Sequence, residues 1–179
     1  MLEKVIIAGF GGQGVMLMGR LLAYAGMLEG KNVAWMPSYG PEMRGGTANC
    51  TVIISSEEIA SPVVPDPMSI IAMNKPSLDK FEPTVQKDGL ILVNSSLIEQ
   101  KVNRDDVSVV KVPANDIANE LGNTRVANMV ALGAYIKKSG VLKMETIFKA
   151  LEKALTGPKQ KLLDINKKAL KQGVELVKE

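Results

Sequence analysis

The sequence predicts an α/β protein: a doubly wound, mostly parallel sheet with helices on both faces and a helical C-terminal third. Two observations carry this prediction. Short apolar runs of strand length alternate with longer segments of helical periodicity over the first two thirds of the chain. Only helical patterns follow residue 112. We expect residues 1–179 to form one domain, which is ordinary for a chain of this length.

The N-terminal strand and the helix after it have the clearest patterns. The apolar run at residues 5–8 is bounded by glycine and predicts a buried parallel strand. Residues 12–29 predict a helix that is apolar nearly all round, which is typical of a helix buried on more than one side. Gly30 is well placed to end that helix.

Two further strands follow in quick succession. Residues 32–36 predict a strand that stops at Pro37. Residues 47–54 alternate between apolar and polar side chains, which predicts a half-covered strand. The alternation favours an antiparallel neighbour but leaves the direction of this strand open. Cys50 lies on its apolar face and is interpreted as a packed thiol rather than a reactive one.

The remaining elements follow an irregular segment with three prolines at residues 61–67. The segment at residues 158–177 has an apolar face and, opposite it, a lysine-rich face, which predicts a helix docked on the protein surface. The patterns predict strands at 69–73, 90–93 and 107–112, and helices at 76–81, 115–121, 126–138, 144–155 and 158–177.

The composition is that of an ordinary folded protein, with 46% hydrophobic and 23% charged residues. No run approaches the roughly 18 apolar residues of a membrane span. The first strand begins almost at once, so we expect no signal peptide. A single cysteine excludes an internal disulfide, and we expect a cytoplasmic protein.

The charge is unevenly distributed along the chain. Residues 1–136 carry a net charge of −3, whereas residues 137–179 carry +6. A basic tail can indicate nucleic-acid binding. Here every cation of the tail is lysine and Phe148 is its only aromatic residue, so a solvated lysine face is the better interpretation. We expect neither a nucleic-acid nor a membrane partner.

Two absences limit the chemistry. The chain has no histidine, which excludes Ser-His-Asp triads, Cys-His pairs and the common histidine metal sites. Its one cysteine cannot ligate an iron–sulfur cluster, which takes about four thiolates. Glu42 and buried lysines are the only candidate acid–base groups. We therefore assign no catalytic residue and no metal ligand.

The first candidate site is the loop Gly-Phe-Gly-Gly-Gln-Gly at residues 9–14. Gly9, Gly11 and Gly14 match the dinucleotide fingerprint G-x-G-x-x-G. NAD or FAD binding also needs an acidic residue near Met36, and none is present. No Lys-Ser or Lys-Thr pair follows the loop, which excludes a P-loop. These glycines could also serve only to pack the helix on the sheet.

The second candidate site is the loop Pro-Ser-Tyr-Gly-Pro-Glu-Met-Arg-Gly-Gly at residues 37–46. In a doubly wound sheet the first two strands end on the same edge, so the two loops should be neighbours. Arg44 beside glycine N–H groups would suit an anionic ligand or a partner's carboxylate. A salt bridge from Arg44 to Glu42 is the alternative interpretation.

Together these loops resemble the gamma subunit of the 2-oxoacid:ferredoxin oxidoreductases, the pyruvate and 2-oxoglutarate:ferredoxin oxidoreductase family. The specific strings are G-G-Q-G-V at residues 11–15 and P-S-Y-G-P-E-M-R-G-G at 37–46. Asn-Met-Val-Ala-Leu-Gly-Ala at 128–134 and the helical C-terminal third also resemble that family.

The resemblance implies a subunit that is inactive alone. Such complexes decarboxylate a 2-oxoacid on thiamine diphosphate, pass two electrons through iron–sulfur clusters to ferredoxin, and release an acyl-CoA. The family's alpha and beta subunits hold thiamine diphosphate, and beta or a small delta subunit holds the clusters. This chain alone would bind no cofactor. Relatives use pyruvate, 2-oxoglutarate, branched-chain 2-oxoacids or indolepyruvate, and we narrowly favour 2-oxoglutarate.

The resemblance also implies that the gamma subunit packs against alpha and shapes the coenzyme A side of the active site. The residues that it implies for ligand or partner binding are Gly9, Gly11, Gly12, Gln13, Gly14, Ser38, Tyr39, Arg44, Gly45, Gly46 and Thr47. Whether they bind CoA phosphates or a partner subunit stays open, as does a homodimer of the isolated chain. Two alternatives are a self-sufficient nucleotide- or CoA-binding module and a purely structural protein.

Overall fold

A computed structural model of the chain describes residues 1–40 and 46–177. The strands are β1 (Leu2–Phe10), β2 (Asn32–Tyr39), β3 (Thr47–Ser55), β4 (Ser69–Ala72), β5 (Leu90–Asn94) and β6 (Ser108–Val112). The helices are α1 (Val15–Leu28), α2 (Lys75–Phe81), α3 (Ala114–Glu120), α4 (Ala127–Ser139), α5 (Met144–Ala154) and α6 (Leu163–Leu176).

The six strands form one mostly parallel sheet in the order β2-β3-β1-β4-β5-β6. Strands β1, β4, β5 and β6 run parallel to one another. Strand β3 lies between β1 and β2 and is antiparallel to both. The α/β class is confirmed, and the open question about the third predicted strand is settled as antiparallel. Because β3 reverses direction, β1 and β2 end on the same edge of the sheet.

Pro37 does not end the second strand, so the predicted boundary at residue 36 was wrong. Strand β2 continues to Tyr39, and Pro37 pairs with Cys50 of β3. Strand β2 is an edge strand, where a proline is tolerated if its nitrogen lies on the open side of the ladder. The sequence shows the proline but not the edge position, and the edge position removes its usual effect.

The larger core lies on the face of the sheet that is covered by α1, α3, α4, α5 and α6. Helix α4 is its centre, because every residue from Ala127 to Ile136 is buried. The backbones of helices α4 and α6 lie in close contact where each helix has a glycine. A Cβ on Gly133 would lie 2.0 Å from the carbonyl oxygen of Leu170, and one on Gly173 would lie 2.0 Å from that of Val130.

The opposite face of the sheet has a smaller core under α2 and the chain between β5 and β6. Ile6, Ile70 and Ile91 point from three strands into this core, and Leu78 of α2 covers them with no exposed surface. Helices therefore lie on both faces, as predicted, but α2 has only 7 residues. Hydrogen bonds and an ion pair hold the chain between β5 and β6 in place on this side.

Helix α6 begins at Leu163, after a 3₁₀ turn at Gly157–Leu162, and not at residue 158. Ala169 and Leu170 are fully buried, which confirms the predicted docked helix. Its Lys167 pairs with Glu152 of α5. No helix among residues 1–40 and 46–177 is long and apolar enough to cross a membrane.

Candidate functional site

The glycine loop joins the end of β1 to the start of α1. Gly14 precedes α1 in the left-handed region, with φ of 74°, and its backbone alone caps the helix. The side chain of Gln13 folds back over the loop. Its Oε1 accepts a hydrogen bond from the Phe10 N–H at 2.7 Å, and its Nε2 donates to the Met73 carbonyl at 3.3 Å. Gln13 therefore fixes the loop against the end of β4.

The two predicted loops are neighbours. The Gly11 N–H donates to the Gly46 carbonyl at 2.9 Å, and the Gly40 N–H donates to the Thr47 carbonyl at 2.8 Å. This arrangement confirms the prediction, although the link is made through β3 rather than by direct contact of β1 with β2. Arg44 and Gly45, both predicted site residues, lie outside the described residues, as does Glu42.

The other predicted residues of the second loop lie at the sheet edge. Ser38 and Tyr39 end β2 and are exposed, with Tyr39 54% exposed. Thr47 begins β3 opposite Phe10. Gly9 is buried at the end of β1, where a Cβ would lie 2.5 Å from Gln13 Oε1. Gly9 therefore serves loop packing.

A cavity of about 220 Å³ opens beside the glycine loop, at the carboxyl ends of the parallel strands. Such crevices are where open α/β sheets bind ligands. Gly12 and Gln13 are the predicted residues that line it. Its complete lining is Gly12, Gln13, Met73, Asn115, Thr124, Arg125, Ala127 and Asn128.

Arg125 and Asn128 are the functional candidates that the loop motifs missed. Arg125 is exposed, and its side chain has no ion pair within residues 1–40 and 46–177. Asn128 is buried at the start of α4, and its Nδ2 donates to the Gly14 carbonyl at 3.3 Å. A Cβ on Gly14 would lie 2.2 Å from that nitrogen. Both residues lie more than 100 positions from the loop, and the only sequence signal was the family-like string that begins at Asn128.

The electrostatics of this cavity favour an anion. Among the described residues, the N–H groups of Gly12 and Gly14 donate no hydrogen bond. Gly12 lines the cavity, whereas Gly14 and the first turn of α1, with its free N–H groups and the positive end of the helix dipole, lie beside it. Arg125 supplies a full positive charge, and no carboxylate lines the cavity. Backbone N–H groups at a helix N-terminus together with an arginine are typical of a phosphate or carboxylate site.

The wall opposite the loop is held by asparagine side chains. Asn94 has no exposed surface, and its Nδ2 donates to the Met73 carbonyl at 3.2 Å and to Asn115 Oδ1 at 2.7 Å. Its Oδ1 accepts from the Ala114 N–H at 3.3 Å. These bonds join the ends of β4 and β5 to the start of α3, so the cavity is preformed.

The lining contains no aspartate, glutamate or cysteine, and the chain has no histidine. No group in it can act as a general acid or base near neutral pH, and none of the described residues form a cluster that could hold a metal. The arrangement is therefore suited to binding.

The chain belongs to the pyruvate ferredoxin/flavodoxin oxidoreductase family, whose model matches residues 4–176. It is similar along its whole length to 2-oxoglutarate synthase subunit KorC of Methanocaldococcus jannaschii, with 34% identity over 183 residues that cover 100% of this chain and 96% of KorC.

Two further similarities define the relationship. The ketoisovalerate oxidoreductase subunit VorA of Methanothermobacter thermautotrophicus is 41% identical over 176 residues. That match covers 98% of this chain but only 36% of VorA, so the chain spans about a third of that relative. The crystal structure of a keto/oxoacid ferredoxin oxidoreductase gamma subunit from Geobacter sulfurreducens has a TM-score of 0.83 and 30% identity, with 97% of each chain covered.

Proposed function

We propose that this chain is the gamma subunit of a multi-subunit 2-oxoacid:ferredoxin oxidoreductase, and that the cavity beside its glycine loop binds phosphate groups of coenzyme A. Family membership and full-length similarity to KorC and to a solved gamma subunit support the first part. The observation that carries the second part is the pair of unpaired donors that line one cavity, the Gly12 N–H and the Arg125 guanidinium.

The overall reaction would convert a 2-oxoacid and CoA to CO₂ and an acyl-CoA, while two electrons reduce ferredoxin. The residues of this chain would contribute binding. The free N–H groups of the glycine loop would donate to phosphate oxygens, and the Arg125 guanidinium would neutralise their charge. Asn128 would hold the loop in place through the Gly14 carbonyl.

The cofactors of the complex would be held by other subunits. Cys50 is the single cysteine of the chain and is fully buried in the core, so the residues present do not fit an iron–sulfur cluster. The glycine-loop cavity offers no carboxylate for the metal ion that accompanies a diphosphate, so it does not fit thiamine diphosphate either. We propose alpha, beta and, where present, delta subunits as the partners, with ferredoxin reached through the complex.

The first test is recovery of the assembly. Tagged protein would be purified from the native organism and assayed for viologen reduction that depends on both CoA and a 2-oxoacid. We expect co-purification of thiamine diphosphate and iron–sulfur subunits with this activity. Comparing 2-oxoglutarate with 2-oxoisovalerate would decide between the substrates that the names of KorC and VorA suggest. Recovery of the chain alone would contradict the proposal.

The second test separates CoA binding from subunit docking at the cavity. Arg125→Ala is expected to raise the KM for CoA about tenfold in the assembled complex, with kcat and subunit composition unchanged. Lys87→Ala removes an exposed cation that precedes β5, at the opposite edge of the sheet from the cavity, and serves as the matched control. Loss of subunits from the Arg125→Ala complex would instead identify the cavity as a docking site. Tight CoA binding by the isolated chain would favour the self-sufficient module.

A further inference from the structure

Helix α1 has a second apolar face that the chain itself leaves partly open. One face is buried against the sheet, with Met18, Leu21 and Leu22 almost fully enclosed. The opposite face is only partly covered, and Met27 at its end is 62% exposed. Met16, Leu17, Tyr24 and Met27 of this face form the apolar floor of what we call the α1 groove, and the exposed Arg20 lies on its rim.

The α1 groove consists of two adjoining cavities of about 480 and 560 Å³, which share Arg20 and Ala154 as lining residues. Trp35 of the edge strand β2 forms part of one wall, and the residues around Leu162 form the other end. At Arg125 the groove adjoins the glycine-loop cavity, because Arg125 lines both. A bound partner would therefore lie next to the proposed CoA site.

The charges along the groove all have one sign. Arg20, Lys153, Arg125 and Lys159 are its charged lining residues, and every one is a cation. Within the part of the chain that the structure describes, none of the four has an ion pair. The neighbouring carboxylate of Glu152 is directed to Lys167 instead. The cations of the groove are therefore free to pair with carboxylates from outside the chain.

We propose that the α1 groove docks an acidic, amphipathic polypeptide segment of another subunit, a proposal that rests on the proposed function. An apolar floor takes the apolar face of such a segment, and Arg20, Lys153 and Lys159 pair with its carboxylates, whereas Arg125 is left to the proposed CoA site. The floor from Met16 to Met27 is about 16 Å long at 1.5 Å per residue, which suits about three turns of helix. The charges also disfavour a symmetric dimer through this groove, because two cationic rims would repel each other.

A cross-linking experiment tests the position and chemistry of the partner. The photo-reactive residue p-benzoylphenylalanine would replace Met27 in the native complex, and the cross-linked peptide would be sequenced. Leu97 is 47% exposed, does not line the groove and serves as the control position. We expect Met27 alone to yield a peptide of another subunit that carries several aspartates or glutamates. A peptide without carboxylates, a peptide of this chain, or no cross-link would overturn the inference.

Charge variants test the energetic role of the rim. We expect Arg20→Glu with Lys153→Glu to weaken retention of the other subunits at least tenfold at low salt, and Arg20→Lys with Lys153→Arg to retain them. Lys101→Glu with Lys111→Glu changes two exposed cations elsewhere and is the matched control. Unchanged melting temperatures would show that all variants fold.

The outcomes separate this inference from the proposed function. If the unaltered chain co-purifies with the oxidoreductase subunits but the groove variants behave like the control, the docking inference is wrong and the proposed function stands. If no such subunits co-purify with the unaltered chain, both are wrong.

Discussion

The two faces of the sheet use their arginines in different ways. On the face covered by α2, Arg104 Nε and Nη2 bond the Asp106 carboxylate at 2.6 and 2.7 Å. Its Nη1 donates to the carbonyls of Glu82 and Val85 at 3.2 and 3.0 Å. On the opposite face, Arg20 and Arg125 have no ion pair among the described residues. An arginine whose three nitrogens all donate within the chain holds the fold together, whereas one without such bonds is available to a ligand or partner.

The two faces also differ in how they are packed. The α1 side is built from close contacts between helix backbones, such as those at Gly133 and Gly173. The α2 side has one short helix and a long connection tied by polar bonds, including that from the Asn103 N–H to the Glu82 carboxylate. Substitutions should therefore act through sterics on the first side and through electrostatics on the second.

The largest effect is expected from Gly133→Ala, which would destabilise the protein by about 3 kcal/mol because its Cβ meets the α6 backbone. Chemical denaturation measures the loss. Gly140 ends the same helix with φ of 63°, and a Cβ there would meet no other atom. Gly140→Ala should therefore lower the free energy of unfolding by only about 1 kcal/mol, through backbone strain. Equal losses for the two variants would show that the α4–α6 contact is not tight.

A smaller effect, and one on function alone, is expected from Arg125→Ala. Removing an unpaired cation should change the free energy of unfolding by less than about 0.5 kcal/mol. The tenfold rise in the KM for CoA proposed above corresponds to about 1.4 kcal/mol of binding. Thermal unfolding and steady-state kinetics on the same preparation check both expectations. A large loss of stability would mean that Arg125, like Arg104, helps to hold the fold together.

Arg104→Ala should lower stability in a pH-dependent way. The Arg104 guanidinium lowers the pKa of Asp106, chiefly through its hydrogen bonds. A carboxyl whose pKa is lowered by folding stabilises the native state above its ordinary pKa of about 3.9 and loses that contribution as pH falls through the lowered pKa. The stability difference between wild type and variant should therefore narrow in acid. A difference that is constant from pH 7 to pH 2 would mean that Asp106 is not the partner that matters.

The smallest effect concerns Cys50, which should be chemically silent. Burial raises the pKa of its thiol to about 11, against a weaker opposing effect of the Trp35 hydrogen bond. Iodoacetamide at pH 8 should leave Cys50 unmodified in the native protein and alkylate it in denaturant, as mass spectrometry would show. An exposed thiol introduced by Lys153→Cys, made in the Cys50→Ala background, provides the positive control. Rapid alkylation of native Cys50 would contradict the packed-thiol interpretation.

The sequence predicted what local pattern determines. The apolar runs located every strand, and the glycine string located the turn between β1 and α1. The prediction for Pro37 failed because the effect of a proline depends on whether its strand lies at an edge, which is a property of the whole sheet. Arg125 and Asn128 were missed for a similar reason. Asn128 bonds the glycine loop from the start of α4, and Arg125 lines the same cavity from the turn before that helix, and their neighbours in the chain show neither relation.

The composition of the edge strand β2 bears on the tendency of the chain to aggregate. From Asn32 to Tyr39 it carries no charged side chain, although Trp35, Met36 and Tyr39 are all more than a third exposed. Uncharged, apolar edges are prone to add strands from other molecules and so to aggregate. Pro37 has no N–H to donate to an added strand, which disfavours such pairing at its position. The residue that ended the predicted strand is therefore expected to limit strand addition at this edge.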